Sequence, residues 1–225
     1  MITARQIDED KLYPDSDGKP MADNTEQYKW IVVVKENLEI LFARDNNVFI
    51  AGDLRWYPVR SKIINPTAPD VMVVFGRPKG KRKSYRQWRE ENIPPQVVFE
   101  ILSASNNDDE MERKLEFYQQ YGVEEYYIYD PESYEIEGWL RSGDKLEQIE
   151  QVHNWVSLCL GIRFDTSQGE LVIYRPDGER FLTSVQLRQE LETERQRGET
   201  ERQRASKLAE YLRSQGIDPD NLPER

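Results

Sequence analysis

Residues 94–103 read PPQVVFEILS, and the fold turns on how this stretch is read. Two prolines cannot sit inside a helix, and the run behind them is apolar without alternation, from Val97 to Leu102. That pattern predicts a strand buried on both faces, as in the interior of an α/β sheet. Glu100 interrupts it. An ionised carboxylate in such a place costs several kcal/mol unless a cation offsets it.

A second strand precedes this one. Pro69-Asp70-Val71-Met72-Val73-Val74-Phe75 enters through a proline, ends at Gly76 and carries Asp70 at its opening. Further upstream, residues 47–59 form an extended stretch broken by Gly52-Asp53. Residues 25–43 are expected to form a buried amphipathic helix, with Trp30, Val33, Val34, Leu38, Leu41 and Phe42 on one face. Asn37 falls near the centre of that face, and Glu36 and Glu39 point away from it. Residues 1–24 are polar and turn-rich, an arm rather than a core element.

Downstream, Ser103 to Asp109 is rich in N-cap residues and starts a helix that stops at Gly122. Its core face holds Met111, Leu115 and Tyr118, with Phe117 and Tyr121 beside them. Lys114 lies among these, three residues from Met111 and four from Tyr118. A strand over Glu125–Asp130 follows, closed by Pro131. Segments 134–140, 145–152, 161–164 and 171–174 then suggest an antiparallel meander.

Two acids and one lysine from three successive elements are thus directed inward. Two carboxylates suit a divalent, oxygen-preferring ion such as Mg²⁺ (or Mn²⁺), and a nearby lysine suits orienting a water or stabilising phosphorane charge. Each alone also fits an ordinary role, as a strand-end cap or a snorkelling lysine; their joint appearance favours chemistry.

These residues resemble the Uma2 family, restriction-endonuclease-like proteins of cyanobacterial type within the PD-(D/E)XK nuclease superfamily. The resemblance rests on Pro69-Asp70, Glu100-Ile101-Leu102-Ser103 after the Pro-Pro entry, Lys114 on the next helix, Gly122-Val123-Glu124-Glu125-Tyr126-Tyr127, and Asp130-Pro131, over roughly residues 20 to 180. It implies an α/β fold with a restriction-endonuclease-like core, a mixed four-stranded sheet flanked by helices, here with added antiparallel strands. It also implies a Mg²⁺-dependent phosphodiesterase in which Asp70 and Glu100 are the metal ligands. The superfamily lysine would fall at Leu102, so Lys114 takes its place in the catalytic set Asp70, Glu100 and Lys114. An acid or amide from the first helix often joins the site, for which Asn37 or Gln27 are the candidates. Asp53 is either an extra acid or a turn residue.

Composition sets the remaining bounds. The chain has 225 residues, 37% hydrophobic and 11% aromatic, enough for a real core. Its one cysteine, Cys159, excludes a disulfide framework, and its one histidine, His153, excludes His-rich zinc sites; both are expected to be structural. Neither a membrane-spanning run nor a signal-peptide core is visible, so a cytoplasmic protein is expected.

The formal charge of −11 conceals a loop, residues 77–89, with seven basic residues and no acid. Interleaved with Tyr85 and Trp88, these cations fit a DNA backbone with base stacking, a solvated surface loop, or a loop paired with the acidic body. From residue 183 the chain becomes a charged helical tail. Leu187, Leu191, Leu208 and Leu212 lack a continuous apolar seam, because Glu, Arg and Gln fill the middle. A solvated helix and a coiled-coil homodimer arm both fit. The expected domains are therefore 1–24, 25–182 and 183–225. The function expected is DNA endonuclease, with a catalytically inactive nucleic-acid or protein binding module as the alternative.

Overall fold

The computed structural model describes residues 12–16, 18, 20–61 and 63–219. The chain divides into two compact units, 1–181 and 182–225.

In the first unit, Asn24 caps helix α1 (Thr25–Leu41), its side chain accepting from the Gln27 amide at 2.8 Å. Strands β1 (Val48–Gly52), β3 (Val71–Phe75), β5 (Val97–Ile101), β6 (Glu125–Asp130), β7 (Glu135–Ser142) and β8 (Lys145–Gln148) form one six-stranded sheet in the order β1-β3-β5-β6-β7-β8. β5 and β6 are parallel and the other neighbours antiparallel. A parallel pair needs a crossover, and helix α2 (Asp108–Gln120) supplies it. Asn107 caps α2, and Asp108, Asp109 and Glu110 in its first turn complement the helix dipole. Gly122, at φ +89°, turns the chain out of the helix.

Alternation sorts the side chains onto two faces. Val71, Val73, Val97, Phe99 and Ile101 pack beneath α1 with Trp30, Ile31, Val34 and Leu38. Met72, Val74, Val98, Tyr126 and Ile128 face α2 and Tyr118. All five residues of β5 are buried, as a central strand covered on both sides requires.

The expected meander is broken. β7 and β8 extend the main sheet, whereas β9 (Arg163–Asp165) and β10 (Val172–Tyr174) form a separate two-stranded sheet. The chain leaves the sheet after the largely exposed β8 because Val152, Leu160, Ile162, Phe164 and Ile173 are needed to cover the α1 face.

Part of the expected N-terminal arm lies outside the described residues, but Tyr13 is buried against Tyr57 and Trp88, so this segment contributes to the core. The loop after β3 is also more ordered than expected. β4 (Tyr85–Arg86) pairs in parallel with β2 (Trp56–Tyr57), and a short 3₁₀ turn, Gln87–Arg89, follows.

The second unit holds helix α3 (Ser184–Ser214), opened by a capping box between Thr183 and Gln186. None of its residues is buried. Among the described residues no helix is long and apolar enough to cross a membrane.

Candidate active site

The register of β3 on β5 brings the two acids together. Val73 pairs with Val97, Met72 with Val98 and Val71 with Phe99. The next position along sets Asp70 opposite Glu100, and there the ladder stops. Instead of a backbone partner, the Ile101 N–H donates to Asp70 Oδ2 at 2.7 Å. Asp70 and Glu100 continue the face of Met72 and Val98, so both carboxylates lie on the α2 side of the sheet. Both are buried, Glu100 to 2% exposure.

Like charges facing across a ladder repel, and α2 supplies the compensation. Lys114 Nζ lies 2.8 Å from Glu100 Oε2 and 3.9 Å from Glu110 Oε1. One turn further along, the Tyr118 hydroxyl donates to the other oxygen, Glu100 Oε1. Burial and the neighbouring charge of Glu100 push the Asp70 carboxyl well above the usual carboxylate range. Burial pulls Lys114 down, but Glu100 and Asp70 outweigh it, and the net shift is upward. Lys114 is therefore an ammonium at neutral pH.

Leu102 shares the face of Glu100 and packs, with Met111 and Leu115, against the α2-side cluster. Position 102 and position 114 thus approach the acids from the same side of the sheet, and the cation comes from the helix. Of the two α1 candidates, Gln27 reaches this region, its amide donating to Ile101 O at 2.9 Å. Asn37 donates to Val33 O one turn back on its own helix. Asp53 stands in a bend at φ +46°, its N–H reaches Pro69 O and Asp70 O, and its charge also raises the Asp70 carboxyl.

Two tyrosines escaped the sequence reading. Tyr118 looked like an apolar core residue, yet its ring is fully buried while its hydroxyl serves Glu100. Its place one turn from Lys114 was the available signal. Tyr126 on β6 is equally buried, and its hydroxyl has no hydrogen-bond partner. Burial, Glu100 and Asp70 push it well above the usual phenol range.

The basic loop is largely committed within the protein. Arg77 and Arg82 pair with Glu90 at 3.0 and 2.8 Å, and Lys79 with Glu39 at 3.3 Å. Arg86 is buried and donates to Tyr13 O at 3.0 Å. Tyr85, expected as a stacking platform, is fully buried with its hydroxyl on Ile93 O, which removes it from any base. His153 Nδ1 accepts from the Thr166 N–H at 3.2 Å and so ties together two segments thirteen residues apart. Cys159 is half-buried, its thiol pushed up to about 12 by burial and the Glu125 charge.

Residues 20–167 match the family Uma2, described as "Putative restriction endonuclease". The chain belongs to the Uma2 family. Its match spans the whole arrangement from α1 through β9, with Asp70, Glu100 and Lys114 inside it. No curated protein matches the chain. Among solved structures, the Uma2 chain is similar to one titled a "putative nuclease belonging to DUF820 from Anabaena variabilis", at 13% identity and a TM-score of 0.44, covering 62% of this chain and 74% of that one.

Proposed function

We propose that this Uma2 protein is a divalent-metal-dependent endonuclease that hydrolyses phosphodiester bonds of DNA. The observation that carries the reading is the convergence of Asp70, Glu100 and Lys114 on one buried point, at the end of the β3–β5 ladder.

The donor chemistry fits Mg²⁺ or Mn²⁺. Among the described residues no group of three or more acids, histidines and cysteines is placed to hold an ion. Mg²⁺ does not ask for one, since it commonly takes one or two carboxylates and completes its shell with water and substrate phosphate. The partnerless Tyr126 hydroxyl marks the same polar region. Asp70 and Glu100 would hold the ion. When bound, it supplies Lewis-acid polarisation of the phosphate.

The protein's own groups have distinct tasks. Lys114 carries its proton at neutral pH, so it serves as an electrostatic group that orients the attacking water and stabilises charge on the phosphate, and not as the base. Tyr118 fixes the rotamer of Glu100. Ile101 N–H fixes Asp70. Of the loop cations, Lys81, Lys83 and Arg89 are exposed, Lys83 lying 4.0 Å from Asp15 Oδ2, and these would meet a phosphate backbone.

The test is calorimetric titration of Mg²⁺ or Mn²⁺ into wild type and Asp70→Ala, followed by plasmid cleavage in the same buffer. Binding that vanishes in the variant, together with nicking, is the expected result. Metal binding without cleavage of any nucleic acid would instead support an inactive binding module. No binding would return both acids to a structural role.

A further inference from the structure

Helix α3 contains a repeat that the site does not use. Residues 192–197 and 199–204 both read ETERQR, a period of seven. The four leucines fall in the same frame. Alternating steps of four and three residues from Leu187 pass through Leu191, Glu194, Gly198, Glu201, Ala205, Leu208 and Leu212. That alternation is the seam of a two-stranded coiled coil, with leucine at both ends and small or acidic residues between. The seam is not covered by its own unit, since Leu191 is 66% and Leu208 59% exposed.

The acids decide what covers it. In a parallel pair of copies, Glu194 and Glu201 would each face themselves across the seam, and Gly198 would face a second glycine. Reversing one helix about the midpoint of Glu199 and Thr200 changes every layer. Leu187 then meets Leu212 of the partner subunit, and Leu191 meets Leu208 of the partner subunit. Glu194 meets Ala205 of the partner subunit, and Gly198 meets Glu201 of the partner subunit. Each acid is opposite a residue small enough to leave it room.

Charge follows the same arrangement. Arg195, Arg197, Arg202 and Arg204 occupy the positions flanking the seam on both sides. Glu194 already pairs with Arg197 at 2.8 Å and Glu201 with Arg204 at 3.0 Å, one turn along the same helix. A reversed copy brings its own flanking arginines to the other side of each acid. Gly198 also gains a reason. Glycine weakens a helix interior, and a Cβ placed there meets nothing within 4 Å apart from the adjoining backbone of its own helix. A second helix at this point would use the space.

We propose that α3 binds a second copy of this chain as an antiparallel coiled coil centred between Glu199 and Thr200. The inference rests on the helix alone and is independent of the nuclease reading.

Light scattering on the full chain at tens of micromolar is expected to give twice the 26.6 kDa of one chain. The double variant Leu191→Glu, Leu208→Glu is expected to give a single chain with its circular dichroism otherwise close to wild type. Orientation is read by disulfide trapping, with the half-buried Cys159 left in place and wild type as the control. Glu194→Cys chains mixed with Ala205→Cys chains are expected to cross-link under a mild oxidant, and neither alone. A wild-type mass of one chain, or a double variant that stays dimeric, would overturn the proposal. So would Ala205→Cys chains that cross-link among themselves, which is the signature of a parallel pair.

Discussion

Lys114 Nζ stands 2.8 Å from Glu100 Oε2, so a charge within a fully buried strand is answered by the helix that follows it. Lys114→Met keeps most of the packed stem and removes the ammonium. The expected loss is about 3 kcal/mol, the low end for a broken buried pair, because Lys114 keeps a fifth of its side chain in solvent. Urea unfolding measures it. A variant as stable as wild type would mean that Glu100 is compensated from elsewhere.

Asp70→Asn should raise stability and abolish function together. Asparagine still offers an oxygen to the Ile101 N–H, and it removes one of two carboxylates facing across the ladder. In chelator, a melting temperature above wild type is expected, on the scale of about 1 kcal/mol, the upper end for one like-charge pair. In Mg²⁺, metal binding and cleavage should disappear. A lower melting temperature would show that the pair is not strained in the resting protein.

Tyr118→Phe leaves the ring packing unchanged and takes one donor from Glu100. A hydrogen bond to a charged group is worth about 1.5–3 kcal/mol, so a matching loss of stability is expected. If Tyr118 positions a ligand carboxylate, metal affinity and kcat fall while the Kd for DNA, measured in Ca²⁺, stays the same. A change in DNA affinity alone would place Tyr118 outside the site.

Glu90 gives a pH signature away from the metal region. Burial raises its carboxyl, but Arg82 and Arg77 outweigh that and hold it below its ordinary value of 4.5. A depressed carboxyl contributes stability that is fully present above the unfolded value and is lost as pH falls through the folded one. Glu90→Gln should therefore melt below wild type at pH 7, and the difference should close as the pH drops below about 4.5. A gap that does not change with pH would make Glu90 a packing residue.

Much of this molecule is legible in its sequence because its signals are local. The unalternating run around Glu100 can only be a central strand, and the spacing of Lys114 within Met111, Leu115 and Tyr118 turns it toward that strand. What sequence cannot supply is register. Asp70 and Glu100 are both visible as charges in apolar runs, but their placement across from one another depends on a pairing between segments about thirty residues apart. The basic loop left its readings open for a related reason. Glu90 and Glu91 stand just past its end, but that they fold back onto Arg77 and that Glu39 of α1 reaches Lys79 depends on the three-dimensional arrangement. Tyr13 was unreadable too, since a lone tyrosine in a polar segment gives no hint that Arg86 awaits its carbonyl.

The partners of Glu100 also bear on how the chain can fold. The groups bound to its carboxylate oxygens, Lys114 and Tyr118, sit on α2, the segment linking the two parallel strands β5 and β6. Because Glu100 lies on the face that α2 covers, its carboxylate stays in water until that helix docks, and a helix docked with Lys114 and Tyr118 out of place would bury it with nothing to meet it. The same residues that build the site therefore select the register in which α2 settles on the sheet.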